Sequence, residues 1–314
     1  MHQKHLIAFY NLENLFDTTD NRYVLDDDFT PNGKKKWNKR RYDRKLRKLA
    51  HAISRIGEKE GVHPPVIIGV AEVENDRVLK ALLAQKEIAH LDYDFVHFDS
   101  PDERGIDTGL LYNTQHFQVV FAETLPLLIT DQEGNRDYTR DILYVNGKLN
   151  NETLHLFVNH WPSRREGPEK TKHKRIEAAN TILRKLDTLD GPIEQQHIII
   201  MGDFNDEPSS ESIKTLMNSG RFINPMQPLL TPETGSANYK GTWSLFDQII
   251  LSHNFLNYEK GTHRFAKAGV FSPSFLRQQK GRFRGIPFRT YAGKKYLAGY
   301  SDHFPVYVMM HFNE

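Results

Sequence analysis

The sequence predicts a mixed α/β architecture, with helices packed outside sheets that hold both parallel and antiparallel strands. Three observations carry this. Short apolar runs alternate along the chain with segments of helical periodicity. Two adjacent runs are separated only by Asn150-Asn151, a hairpin signal foreign to a purely parallel sheet. No repeat, linker or composition shift divides the 314 residues, so one domain over residues 1–314 is expected.

The elements follow in order. Residues 6–10 read as a short buried strand, and residues 17–40, polar and rich in Asp, Asn and Lys, as a loop. Tyr42, Leu46, Leu49, Ile53 and Ile56 recur at spacings of four and three. That is an amphipathic helix with Arg and Lys on its outer side. Pro64-Pro65 blocks its continuation, and residues 66–70 form the next strand. Asp76 is placed to cap a helix over residues 77–85. Strands follow at 95–98, 108–112, 118–121, 142–149 and 153–159. Ile176, Ala179, Leu183 and Leu186 mark a second helix, stopped by Gly191-Pro192. A strand leads into GDFN at 202–205, a short helix follows near 210–217, and strands at 246–251 and 305–312 complete the pattern.

Composition narrows the function. Hydrophobic residues make up 38% and charged residues 26%, as in a soluble globular protein. The net charge of +2 gives no bulk signal for a polyanion partner, so local distribution must decide. The absence of cysteine excludes disulfides and thiol catalysis. No apolar run approaches the ~20 residues of a membrane span. The start, MHQKHLIAFYN, lacks a signal-peptide core. A soluble monomer is expected, cytoplasmic or secreted with its signal removed.

Polar side chains gather where apolar runs end. Asn11, Glu13 and Asn14 follow the first strand, and Glu72 and Glu74 the second. Asn159 and His160, then Asp203 and Asn205, close two others. Asp247 opens a strand, and Asp302 and His303 precede the last. Any one of these is ordinary loop solvation. Together they are costly, because carboxylates converging beside a core need a cation or a proton. Oxygen ligands, with no cysteine and no paired-histidine zinc spacing, favour Mg2+ or Mn2+. A hard cation polarises a phosphoryl oxygen. A carboxylate orients or deprotonates water, and a histidine held by an aspartate handles a proton. Asparagine amides bind non-bridging oxygens without adding charge. Hydrolysis of a phosphoester uses all of these groups.

With these motifs the chain resembles the endonuclease/exonuclease/phosphatase superfamily, the group of pancreatic deoxyribonuclease and the major abasic-site endonuclease. FYNLENLFD at the start is similar to a bacterial nuclease-like branch. Asn11 in FYNLEN, Glu72 in GVAEVEN, His160 in VNHWPSR, Asp203 and Asn205 in GDFNDEP, and Asp302 and His303 in YSDHFP fall in the family's order. The resemblance implies a four-layer α/β sandwich, two packed mixed sheets flanked by helices. It implies that Glu72 is the principal metal ligand, with Asn11 and Asp302 near the cation. Asp203 would position or activate water, and Asn205 and His160 would hold the phosphate. His303, oriented by Asp247 in SLFDQIILS, would contact phosphate or transfer a proton, so the base is Asp203 or His303. Arg140 in YTRDILYV resembles an arginine that nuclease members set against phosphate. Two positions depart from the pattern: Ala71 stands where Gln often precedes the glutamate, and Gln248 where Arg often follows the aspartate.

Basic residues point to the substrate. They bunch in KKKWNKRRYDRKLRK at 34–48, in Arg164 to Arg175, and in 280–295, where Arg282, Arg284 and Arg289 alternate with Phe283, Phe288 and Tyr291. Such patches attract polyanion backbones, and aromatics stack on unpaired bases. A metal-dependent phosphodiesterase acting on nucleic acid is therefore expected. The alternatives are a phosphatase or phospholipid-type phosphodiesterase of the same superfamily, and a nucleic-acid-binding module on a degenerate catalytic fold.

Overall fold

The computed structural model describes residues 3–62, 64–130, 134–192 and 195–314. In chain order it contains β1 (Lys4–Leu15), α1 (Lys39–Ile53), β2 (Ile67–Val73), α2 (Asp76–Leu83), β3 (Tyr93–His97), β4 (Asp107–Asn113) and β5 (Phe117–Leu125). Then come β6 (Ile129–Thr130), β7 (Arg136–Asp137), β8 (Ile142–Leu149), β9 (Glu152–His160), α3 (Lys172–Leu186), β10 (His197–Asp203), α4 (Glu211–Met217) and β11 (Phe222–Ile223). The last are β12 (Ala237–Tyr239), β13 (Thr242–Ser244), β14 (Asp247–Ser252), β15 (His263–Val270), β16 (Tyr291–Ala292), β17 (Lys295–Tyr296) and β18 (Val306–Phe312).

Two six-stranded mixed sheets result, ordered β15-β18-β1-β2-β4-β3 and β11-β14-β10-β9-β8-β5. Each has one parallel pair at its centre, β1 with β2 and β9 with β10, and antiparallel neighbours on both sides. Alternating side chains decide the layers. Ile7, Phe9 and Ile67 of the first sheet meet Val158, Ile199 and Met201 of the second in an inner core. The next residues along the same strands, Leu6, Ala8 and Ile68, pack outward on Leu46, Leu49 and Ile53 of α1 and Leu79 of α2. Phe157, Ile198 and Ile200 likewise cover Ala179 and Ile182 of α3 and Leu216 of α4. The order is helix, sheet, sheet, helix. No helix among the described residues is long and apolar enough to cross a membrane.

The hairpin expected at Asn150-Asn151 joins β8 to β9, with φ of 50° and 72° there. Two consecutive left-handed residues make the turn that matches strand twist, and Asn tolerates it best after Gly. Asp76 does not cap α2. Asn75 does, accepting from the Arg77 and Val78 amides at 2.9 and 3.1 Å, and Asp76 becomes the first helical residue. Helix α3 ends at Leu186, before Gly191-Pro192 is reached.

The strand starts at the other end of the sandwich carry a buried histidine chain. His5 Nδ1 lies 2.9 Å from His263 Nε2, His263 Nδ1 bonds Glu152, and Glu152 Oε1 lies 3.3 Å from His197. Burial, with His263 and His116 adding, lowers His5 to about 3, and burial lowers His263 to about 4. Both histidines are neutral in the fold but bind protons in the unfolded chain below about 6.5. Their contribution to stability is therefore lost as pH falls from about 6.5. Burial raises Glu152 to about 7, which acts in the opposite sense for one proton. The expected outcome is a Tm that falls between pH 6.5 and 4 and falls less steeply in His5→Leu, read by thermal denaturation across that range.

Candidate active site

The parallel pairs explain why so much acid stands at strand ends. The C-terminal ends of β1, β2, β9 and β10 point to the same edge of the sandwich, and bring Asn11, Glu72, His160 and Asp203 there. Antiparallel neighbours begin at that edge, so β14 delivers Asp247 opposite Asp203, and the segment before β18 delivers Asp302 and His303. His160 and Asp203 are register partners across the central pair.

The side chains converge. Asn11 Nδ2 lies 3.0 Å from Asp203 Oδ2 and 3.4 Å from Glu72 Oε1, bridging the two sheets. His160 Nε2 lies 3.9 Å from Glu72 Oε1 and 3.8 Å from Asp203 Oδ2. His303 Nδ1 is 2.6 Å from Asp247 Oδ2, and its Nε2 is 3.9 Å from Asp203 Oδ2 and 4.0 Å from Asp302 Oδ1. Ser301 fixes this segment, donating to the Asn11 carbonyl at 2.7 Å and accepting from the His303 amide at 3.1 Å.

Backbone geometry aims these groups. Glu13, Asn14, Glu72 and Asn205 all have φ between 49° and 61°, a left-handed conformation costly for residues with a Cβ. The strand register breaks at the first three, as bulges do when they re-aim a side chain. The Asn14 amide then donates to Glu72 Oε2 at 2.8 Å, and the Asn205 amide to Asp203 Oδ1 at 2.9 Å. Gly202 is required by proximity: a Cβ there would lie 2.3 Å from the Asn159 carbonyl oxygen of the adjacent strand.

Electrostatics divides the titratable groups. Burial pushes the Asp203 carboxyl up to about 6, His303 opposing and Asp247 adding to the shift. Burial disfavours charge on His303, but Asp247, Asp203 and Asp302 outweigh it and hold the imidazole well above its ordinary range. Burial, reinforced by Arg140 and Arg104, holds His160 well below it. His160 is therefore neutral, and its buried Nδ1 has no hydrogen-bond partner among the described residues. An orphan lone pair costs less there than an orphan N–H, which places the proton on Nε2, facing the carboxylates.

The arginines separate. Arg140 is buried and committed: it holds Asp102 at 2.8 Å and the carbonyls of His160 and Trp161 at 3.2 and 3.0 Å. It braces the end of β9. Arg289 bonds Asp302. Arg282 and Arg284 are exposed in the loop closed by the Arg277–Pro287 bridge, and none of their contacts among the described residues ties them to the carboxylates. Arg104 and exposed Arg165 instead act on the His160 charge; Arg165 belongs to the basic run that follows His160 in the sequence, whereas Arg104 did not stand out there. Of the two departures from the motif, Ala71 is core and Gln248 joins Asp206 to Asn224. Glu74 accepts from the Asp17 amide and closes a loop.

Lys45 was also missed, although it lies on the apolar stripe of α1, between Tyr42 and Leu49. It is buried, donates to Thr290 Oγ1 at 2.7 Å and the Tyr300 carbonyl at 2.5 Å, and lies 3.8 Å from Glu13. Glu13 in turn accepts from the Thr290 amide at 2.6 Å. This pair holds the 289–302 segment behind Asp302. Lys45→Met, measured by chemical denaturation, is expected to cost about 3–5 kcal/mol, the range for breaking a buried ion pair on one side. Lys45→Met with Glu13→Gln should recover part of it.

The donor set fits a hard divalent cation. Asp203, Asp247 and His303 each offer a ligand atom within 4.8 Å of one another, and Glu72 and Asp203 oxygens lie 3.9 and 3.8 Å from the same His160 Nε2, so carboxylate oxygens predominate at this edge. The sequence profile of the Endonuclease/Exonuclease/phosphatase family matches residues 6–312, and the chain belongs to that family, whose members are generally phosphoesterases that depend on a divalent metal. Solved structures share the fold. An endonuclease/exonuclease/phosphatase family protein from Bacteroides thetaiotaomicron is 17% identical, with 100% of each chain covered and a TM-score of 0.61. A mannosyl-6-phosphatase of that organism is 17% identical over 98% of this chain and 100% of its own, with a TM-score of 0.60. D. rerio TDP2, complexed with single strand DNA product, is 15% identical over 98% of each chain, with a TM-score of 0.58. No curated protein sequence matches the chain.

Proposed function

We propose that the chain is a phosphodiesterase that hydrolyses nucleic acid with Mg2+ or Mn2+, by attack of water on phosphorus. The observation that supports this most is the meeting of Glu72, Asp203, His160 and the Asp247–His303 pair at one edge of the sandwich. Glu72, with Asp302 and Asn11 beside it, would hold the cation, which when bound polarises the phosphoryl group and stabilises the departing oxygen. The Asn11 oxygen already accepts from the Glu13 amide at 2.9 Å, so Asn11 serves chiefly by donating to Glu72 and Asp203. Asp203 orients the water and takes its proton as the new oxygen–phosphorus bond forms and the bond to the leaving oxygen breaks. His303 sits among three carboxylates with Nδ1 held by Asp247. It keeps its proton and donates from Nε2 to a phosphoryl oxygen. Neutral His160 and the Asn205 side chain, whose Nδ2 is positioned by donating to the Trp161 carbonyl at 2.9 Å, complete the phosphate seat, with Arg104 and Arg165 supplying charge.

The basic, aromatic segments and the TDP2 neighbour with its DNA product favour nucleic acid over a sugar phosphate. The test is a panel of plasmid, single-stranded DNA, RNA, abasic duplex, inositol phosphates, mannose 6-phosphate and sphingomyelin. Preferred cleavage of a polynucleotide, with affinity falling steeply with salt, supports the proposal. Preferred cleavage of a small phosphate or a lipid overturns the choice of substrate. Replacing Arg282 and Arg284 together by Ala should reduce the salt slope by about two, about one per lost phosphate contact. Turnover at saturation should remain.

A further inference from the structure

At the same edge of the first sheet, where β4 begins opposite Val73, a second set of ligating side chains gathers beside the cleft. His97 closes β3, Asp107 opens the adjacent β4, and Asp99 lies on the loop between them. Each offers one ligand atom, and these atoms lie within 4.8 Å of one another. We infer that His97, Asp99 and Asp107 bind a divalent transition ion of the zinc type, separate from the cation of the cleft.

The state of His97 carries the argument. Its side chain is only 2% exposed. Nδ1 lies 3.0 Å from Asp76 Oδ1 in the first turn of α2; burial disfavours charge on the ring, but Asp107 and Asp76 outweigh it, so the site calls for positive charge at Nε2, which a metal ion in place of the proton would supply. Nε2 is buried and lies 3.3 Å from Asp107 Oδ2, but is not aligned to hydrogen-bond it. Two acceptor atoms so close repel each other unless positive charge stands between them. Asp107 is fixed in the orientation a ligand needs. Its other oxygen accepts from the Ser100 amide at 3.0 Å and from the Ser100 hydroxyl, leaving Oδ2 to face His97. Asp99 is exposed and supplies the third ligand from the rim.

A carboxylate behind a ligating histidine is the usual support for a transition metal, and Asp76 supplies it. Imidazole with two carboxylates suits zinc-type ions, whereas magnesium and calcium prefer oxygen alone. The ion would clamp β3, β4 and the loop after His97. That loop carries Asp102, which holds Arg140 against the His160 carbonyl. The site therefore stabilises one wall of the cleft without touching substrate.

The experiment uses the full chain with Glu72→Gln and Asp203→Asn, which disables the cleft cation site and makes the outcome independent of the proposed activity. Zn2+ and Mg2+ are titrated separately by calorimetry. The expected result is one saturable equivalent of Zn2+, no comparable Mg2+ binding, and a Tm raised by Zn2+. Adding Asp76→Asn should weaken Zn2+ about 10–100-fold, as losing a supporting partner does. Adding His97→Gln or Asp99→Asn should weaken it at least as much. Asp99 is exposed, so its variant tests the site even if His97→Gln fails to fold. No saturable Zn2+ binding overturns the inference, as does binding that survives Asp99→Asn undiminished. Either result would leave His97 as an imidazolium bridging Asp76 and Asp107.

Discussion

Asp203→Asn is expected to fold with nearly native stability and to lose about 10²–10⁴-fold in turnover, the range for removing a general base. The substitution keeps the volume of a buried side chain. It removes a charge that burial disfavours, since Asp203 is already pushed up to about 6. Against that gain, the new amide has one oxygen for two donors, the Asn205 amide and Asn11 Nδ2. One donor goes unsatisfied, at about 1–3 kcal/mol. The two effects oppose each other, so thermal denaturation should show a small change while steady-state hydrolysis shows a large one. Retained turnover in the folded variant would remove Asp203 from the mechanism. Collapse of the fold would make it a structural residue.

His303→Ala should lower turnover by a similar factor, and the informative comparison is with Asp247→Asn. Asp247 is fully buried, and one of its oxygens faces His303 Nδ1 at 2.6 Å. If Asp247 acts only through His303, the two losses do not add. The double variant should be no slower than His303→Ala alone, as for residues that work as a unit. Multiplied losses would give Asp247 a separate role. A change confined to KM would make His303 a substrate-holding group. Both single variants should also lose stability, because His303→Ala strands a buried carboxylate and Asp247→Asn weakens the bond between the two side chains.

Much of this site was legible because strand ends are local features. The apolar run before Asp203 and the motifs around Asn11, Glu72, His160 and Asp302 place each group at the end of an element, and a parallel pair puts such ends on one edge. The hairpin at Asn150-Asn151 was legible for the same reason. What was not legible depends on partners distant in sequence. Arg140 reads as a phosphate ligand until Asp102 is seen beside it. Asp107 looks like an ordinary strand start until pairing brings His97 alongside. Strand β15, HRFAKAGV, has no apolar run because it lies at a sheet edge, where charged residues such as Arg264 and Lys267 discourage further pairing. Lys45 is the exception, since its place on the apolar stripe of α1 was readable and its burial followed.

The position of β18 also bears on how the molecule is made. This strand pairs with β1 on one side and β15 on the other, so β1 waits until residues 306–312 have been synthesised before its second partner exists. Until then β1 offers a bare, strongly apolar border to any other nascent polypeptide, and chaperone demand should be concentrated in that interval.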